Sequence, residues 1–114
     1  RHEESVRQSI WMILSTNPGE RVMRPTFGSG LNDLVFAPLT SSLVGEAVSA
    51  VREALARWEP RIEVDEVTAF VDQAEPTTLN LDITYRILAT NSRQNLVYPF
   101  YTEQTSPRDT VITP

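Results

Sequence analysis

Glu59 and Arg61 flank Pro60 in the run Trp58-Glu59-Pro60-Arg61-Ile62, and their spacing fixes the chemistry open to them. Proline lacks an N–H and disfavours helical backbone at the residue before it, so a helix arriving from the N-terminal side stops at Glu59. In the extended chain that follows, side chains two apart face the same way, which sets Glu59 beside Arg61. Glu59 then lies at the negative end of the helix macrodipole, a position costing about 0.3–1 kcal/mol unless a cation compensates. Either Arg61 supplies that cation within the chain or a partner does. Surface pairs are common and contribute only ~0–1 kcal/mol, so local physics alone favours an ion pair closing a helix-to-strand corner.

A second group of charges, Glu20, Arg21 and Arg24, follows Pro18-Gly19. It reads equally as a turn with solvated charges and as a cationic loop reaching an acidic or carbonyl-rich partner. Catalytic chemistry finds little purchase. A glycosidase needs two carboxylates about 5–5.5 Å or about 6.5–9.5 Å apart, one with a raised pKa. Arg61 beside Glu59 lowers its pKa, and Glu20 likewise precedes Arg21. Serine or threonine nucleophiles lack a histidine base, because the single His2 lies near the chain start. No cysteine, phosphate-cradling glycine loop or metal-ligand spacing is present, so no catalytic residue, cofactor or metal is expected.

The elements that must position these residues follow from periodicity. Val6, Ile10, Ile13 and Leu14 form one helical stripe over residues 3–15, with Trp11 beside it and Glu3 and Glu4 in the first turn. From Pro18 to Pro38 the chain reads as a long ordered loop, pinned by Met23, Phe27, Leu31, Leu34 and Phe36; loops of this length are usually functional. Thr40 or Ser41 caps a second helix, in which Val44, Ala47, Val48, Val51, Leu55 and Trp58 repeat at helical spacing up to Pro60. Both tryptophans are expected in the core. After Pro60 the period becomes two, with a parity change near Asp65-Glu66 that implies a bulge. Leu79, Leu81, Ile83, Tyr85 and Ile87 alternate with polar residues as a half-buried antiparallel strand. Asn91–Asn95 reads as a loop to a third strand, Leu96 to Tyr101, which Pro99 places at a sheet edge. The expected fold is α+β: two amphipathic helices on a small antiparallel sheet of about three strands, residues 1–101, with a polar tail at 102–114.

Composition agrees with one ordinary globular domain. The 114 residues are 40% hydrophobic and 22% charged, with a net charge of −5, which argues against nucleic acid or an anionic membrane as partner. All ten basic residues are arginine. Codon bias is the plainer explanation, although arginine suits bidentate carboxylate contacts. No apolar run approaches the ~18 residues of a membrane-spanning helix. The sequence starts at Arg1, so further N-terminal residues are expected to precede it.

The run from Ile13 to Gly28, then Leu31, Leu34 and Phe36, and later Glu59-Pro60-Arg61-Ile62, resembles the gene-25-like baseplate wedge family. That family serves contractile phage tails, extracellular contractile injection systems and type VI secretion, and the resemblance covers about residues 5–101. It implies a structural role, present in multiple copies, that contacts larger wedge proteins and templates the first ring of sheath subunits. It also implies assembly in the cytoplasm into the baseplate of a contractile particle. The family's Glu-Pro-Arg signature contacts the helical core of the wedge, a role that carries over to Glu59, Pro60 and Arg61. Under this resemblance Glu20, Arg21 and Arg24 become further interface candidates, and Leu96, Val97 and Tyr98 mark an edge suited to strand addition by a sheath arm, although Pro99 removes a donor there and serves equally as protection against unwanted pairing. The family's lysozyme-like label and a free-standing adaptor on the same fold are the competing functions.

Overall fold

The computed structural model describes residues 2–17, 19 and 27–102. Helix α1 (His2–Ser15) buries Val6, Ile10, Ile13 and Leu14, the stripe read from the sequence. Helix α2 (Ser41–Trp58) starts at Thr40, whose extended backbone lets its hydroxyl accept the Leu43 N–H at 3.3 Å. Its fully buried residues are Leu43, Ala47, Val51, Ala54 and Leu55. Val44 and Val48, expected in that stripe, are only half-buried, while Leu43 and Ala54 join it. The apolar face is turned because α2 packs both on the sheet and on α1. Removing the cap by Thr40→Ala is expected to cost about 1 kcal/mol, lowering the melting temperature by about 4–8 °C.

Three strands of ten residues, β1 (Ile62–Val71), β2 (Thr78–Ile87) and β3 (Ser92–Tyr101), form an antiparallel meander in that order. The centre is β2, whose Leu79, Leu81, Ile83, Tyr85 and Ile87 are all buried beneath the helices. Its neighbours on that face are Val67 and Ala69 of β1 and Leu96, Tyr98 and Phe100 of β3. The expected bulge lies between Val64 and Glu66. It brings Ile62 and Val64 onto the same face as Val67, opposite Ile87 and Tyr85.

Residues 92–95, expected to be loop, belong to β3. The hairpin turn is shorter, spanning residues 88–91 with Asn91 in the left-handed region at φ 54°. The segment looked like loop because Arg93 and Asn95 occupy the solvent face and Ser92 and Gln94 pair with each other through their side chains at 2.6 Å.

Phe27 and Leu31 pin the loop, as expected, and Leu34 is half-buried. Phe36 does not: it is 64% exposed. A single 3-10 turn at Leu31–Leu34 puts residues three apart on one side, which leaves Phe36 turned outward. Met23 lies outside the described residues. At Gly28 the chain folds back on the end of α1: the Ser29 N–H donates to Thr16 O at 3.0 Å and its hydroxyl donates to Leu14 O at 3.0 Å. These bonds satisfy carbonyls that a helix C-terminus leaves open. Gly28 has φ 125°, and a Cβ there would lie 2.3 Å from Thr16 O.

The tryptophans part company. Trp58 is half-buried against Phe27, ring centroids 5.1 Å apart, as the core reading requires. Trp11 is 44% exposed and packs in a T-shaped arrangement with Tyr98, ring centroids 4.8 Å apart. Helix α1 lies along the β3 side of the sheet, so the side chain beside its buried stripe overhangs the margin.

Candidate protein-interaction site

Glu59 ends α2 and receives Arg61 in a closed fork. Its N–H donates to Leu55 O at 3.0 Å, completing the last helical turn. Glu59 Oε1 accepts Arg61 Nε at 2.9 Å and the Arg61 backbone N–H at 3.2 Å, while Oε2 accepts Nη2 at 2.9 Å. Charge-assisted bidentate contacts of this kind are the stronger class of hydrogen bond. Arg61 Nη1 reaches on to the Ser5 hydroxyl at 3.3 Å, tying the corner to α1.

The two partners differ in exposure, and that difference sets their roles. The Glu59 side chain is 2% exposed, whereas that of Arg61 is 39% exposed and Pro60 faces solvent. Burial pushes the Glu59 carboxyl up, but hydrogen bonds from the Arg61 side chain, Ser9 and the Arg61 N–H, with the Arg61 charge, outweigh it and hold the carboxyl below its ordinary value. The Arg61 guanidinium is correspondingly held more firmly protonated by its hydrogen bond to Glu59. A neighbouring molecule would therefore meet Pro60 and the outer rim of Arg61, with Glu59 as the buried anchor.

The other sequence candidates fall elsewhere. Glu20, Arg21 and Arg24 lie outside the described residues. On β3, Leu96 points into the core at 1% exposure, Val97 is 41% exposed and Tyr98 is half-buried. The margin of β3 is occupied by α1: Arg7 Nη1 donates to Asn95 O at 3.1 Å, and the Ser15 and Tyr98 hydroxyls hydrogen bond at 3.0 Å. With Trp11 between them, Arg7, Trp11 and Ser15 form a stripe at i, i+4 and i+8 along that edge. The corner and Leu96–Tyr98 sit on opposite margins, separated by β2. Sequence reasoning missed Ser5, Ser9 and Arg7; the four-residue spacing from Arg7 was the available signal.

For glycoside hydrolysis the chemistry runs the wrong way at the best-placed carboxylate. Glu59 is held ionised by Arg61, opposite to what a general acid needs. Asp72, also shifted down, is committed to the β1–β2 turn by bonds from Asn80 Nδ2, Ala74 N and Glu75 N.

Residues 1–92 match the family model described as baseplate wedge protein gp25. Baseplate protein W of Escherichia phage P2 is 40% identical over 65 residues, 57% of this chain; the chain spans 56% of that curated relative's length. A Geobacter sulfurreducens crystal structure, of a protein proposed to be a tail lysozyme, superposes with a TM-score of 0.84 at 48% identity, covering 91% of this chain and 94% of that one. A chain of the anti-feeding prophage baseplate gives 0.69 at 33% identity, over 74% of this chain and 67% of that one. A chain of the post-contracted pyocin R2 baseplate gives 0.63 at 30% identity, over 74% and 83%. The chain, with its two helices on a three-stranded antiparallel sheet, belongs to the baseplate wedge protein gp25 family.

Proposed function

We propose that this protein is a structural wedge subunit, acting in several copies, that docks on larger baseplate proteins through the Glu59-Pro60-Arg61 corner and offers a sheet edge to the first sheath ring. The observation carrying the docking role is the asymmetry of the ion pair: a buried carboxylate holds a partly exposed guanidinium in one orientation. A side chain already immobilised in the free domain loses less entropy on binding. Family membership and the baseplate neighbours support the wider reading.

Arg61→Lys tests the docking contact, because lysine keeps a cation near Glu59 but loses the planar fork. The expected result is a folded domain whose assembled particles, counted by electron microscopy, fall at least tenfold. Normal particle numbers would overturn the corner as a docking point. The same reading assigns no hydrolase activity, and the purified domain is expected to leave peptidoglycan uncleared.

A further inference from the structure

The face of the sheet turned away from the helices divides into a charged half and an apolar half. Strand register sets Glu63, Arg86 and Arg93 in one row and Glu66, Thr84 and Asn95 in the next. Two rows further on, Phe70, Asn80 and Pro99 lie abreast, with Val97 and Tyr101 to either side of Pro99 along β3. Phe70 is 49% exposed, Val97 41% and Tyr101 64%. Exposed apolar side chains clustered in this way, unlike scattered single ones, mark an interaction surface.

The polar side chains among them are already withdrawn from water. Asn80 is buried and gives its amide to Asp72 Oδ2 at 3.3 Å. Thr78, buried opposite Tyr101, has a hydroxyl without a hydrogen-bond partner among the described residues. Covering this half therefore removes apolar area from water and strips little further hydration from polar groups.

We infer that this face binds the same face of a second copy of the chain, about a two-fold axis parallel to the strands. Such an axis keeps each row on its own row and lays β1 of one copy over β3 of the other. Glu63 of each copy then faces Arg93 of the other, and Phe70 faces Pro99 between Val97 and Tyr101. Each contact occurs twice. An axis across the strands instead reverses the rows, setting Glu66 on Phe70 and Asn95 on Pro99. Charge complementarity thus selects both the axis and the partner, because one row carries acid on β1 and base on β3, the arrangement that a copy of itself satisfies. Near the axis Asp82 and Arg86 meet their own copies, and within each chain Asn95 and Glu63 already answer those charges.

Three ten-residue strands present about 33 Å by ~14 Å, so the two copies together bury roughly 900 Å². That falls below the ~1,200 Å² of stable interfaces and belongs with the transient ones. The Glu59–Arg61 corner, tied to α1, lies on the helix side and stays open in the pair. Pairing is therefore independent of the docking reading.

Sedimentation velocity of the purified protein tests the pairing. The weight-average mass is expected to rise from one chain toward two, with a midpoint at about 0.1 mM. Arg93→Glu and Glu63→Arg are each expected to weaken the dimer at least tenfold. Combining them mirrors the row about Arg86, acid for base, and is expected to restore dissociation to within about threefold of the unaltered protein. Phe70→Ser is expected to abolish the dimer while leaving the melting temperature of the dilute, monomeric chain unchanged. A mass of one chain up to about 1 mM would overturn the inference, whether residues 103–114 or a different protein then cover the face. Dimers that both single variants leave intact, or that the double variant does not restore, would overturn it as well.

Discussion

Arg61→Ala is expected to destabilise the domain by about 3 kcal/mol, and more than Glu59→Ala does. Breaking a buried pair costs most when the charge left behind cannot reach water, typically about 3–5 kcal/mol. Glu59 is that charge, at 3% exposure, and retains only Ser9 and the Arg61 N–H as donors once the guanidinium is gone; these place the cost at the lower end. Removing Glu59 instead frees a guanidinium that is already partly in solvent. Melting curves across pH separate this from a simple packing loss. In the unaltered protein Glu59 titrates below its ordinary 4.5, so its stabilising contribution is present above pH 4.5 and is lost as pH falls through the folded-state value. In Arg61→Ala burial dominates and the carboxyl shifts upward, so the sign reverses and acidification from pH 7 toward 4.5 recovers stability relative to the unaltered domain. A difference between the two proteins that stays constant with pH would contradict this account.

Gly28→Ala is the second large effect, expected at about 3 kcal/mol. At φ 125° any L side chain is strained, by roughly 1–3 kcal/mol, and the added Cβ would also overlap Thr16 O at 2.3 Å. Relief requires the loop to withdraw, which breaks the Ser29 bonds to Thr16 and Leu14 at the end of α1. Denaturant titration should show a lower midpoint, with faster exchange at the Ser29 amide. Gly30→Ala is the matched control: its φ is −89° and a Cβ meets nothing within 4 Å, so its midpoint should move by less than the equivalent of ~0.5 kcal/mol.

Both positions show what the sequence makes legible. Proline after Glu59 set the helix end and the side-by-side charges from backbone rules alone, and the parity change at Asp65 gave the bulge. The burial of Glu59 was not readable, because it depends on α1, remote in the sequence, laying Ser5 and Ser9 against the corner. Trp11 failed for a related reason. Helical spacing locates the buried stripe, but only the position of α1 over the flank of the sheet decides whether the adjacent residue is covered. Ser92 to Asn95 hid a strand because Arg93 and Asn95 face solvent while Ser92 and Gln94 bond to each other, which leaves no apolar alternation to read. Nothing local to Asn95 reveals that an arginine from α1 occupies its carbonyl.

The bulge between Val64 and Glu66 works as a phase shifter. One extra residue advances β1 by half a period, so the corner at Glu59–Arg61 and the row from Val67 to Val71 keep fixed orientations that differ from those an unbroken strand would impose. Losing or gaining a single residue between them would rotate the corner to the opposite face while leaving every side chain of both segments intact. Losing two would restore the phase. The docking geometry therefore resides in the count of residues joining the two segments as much as in the identity of either.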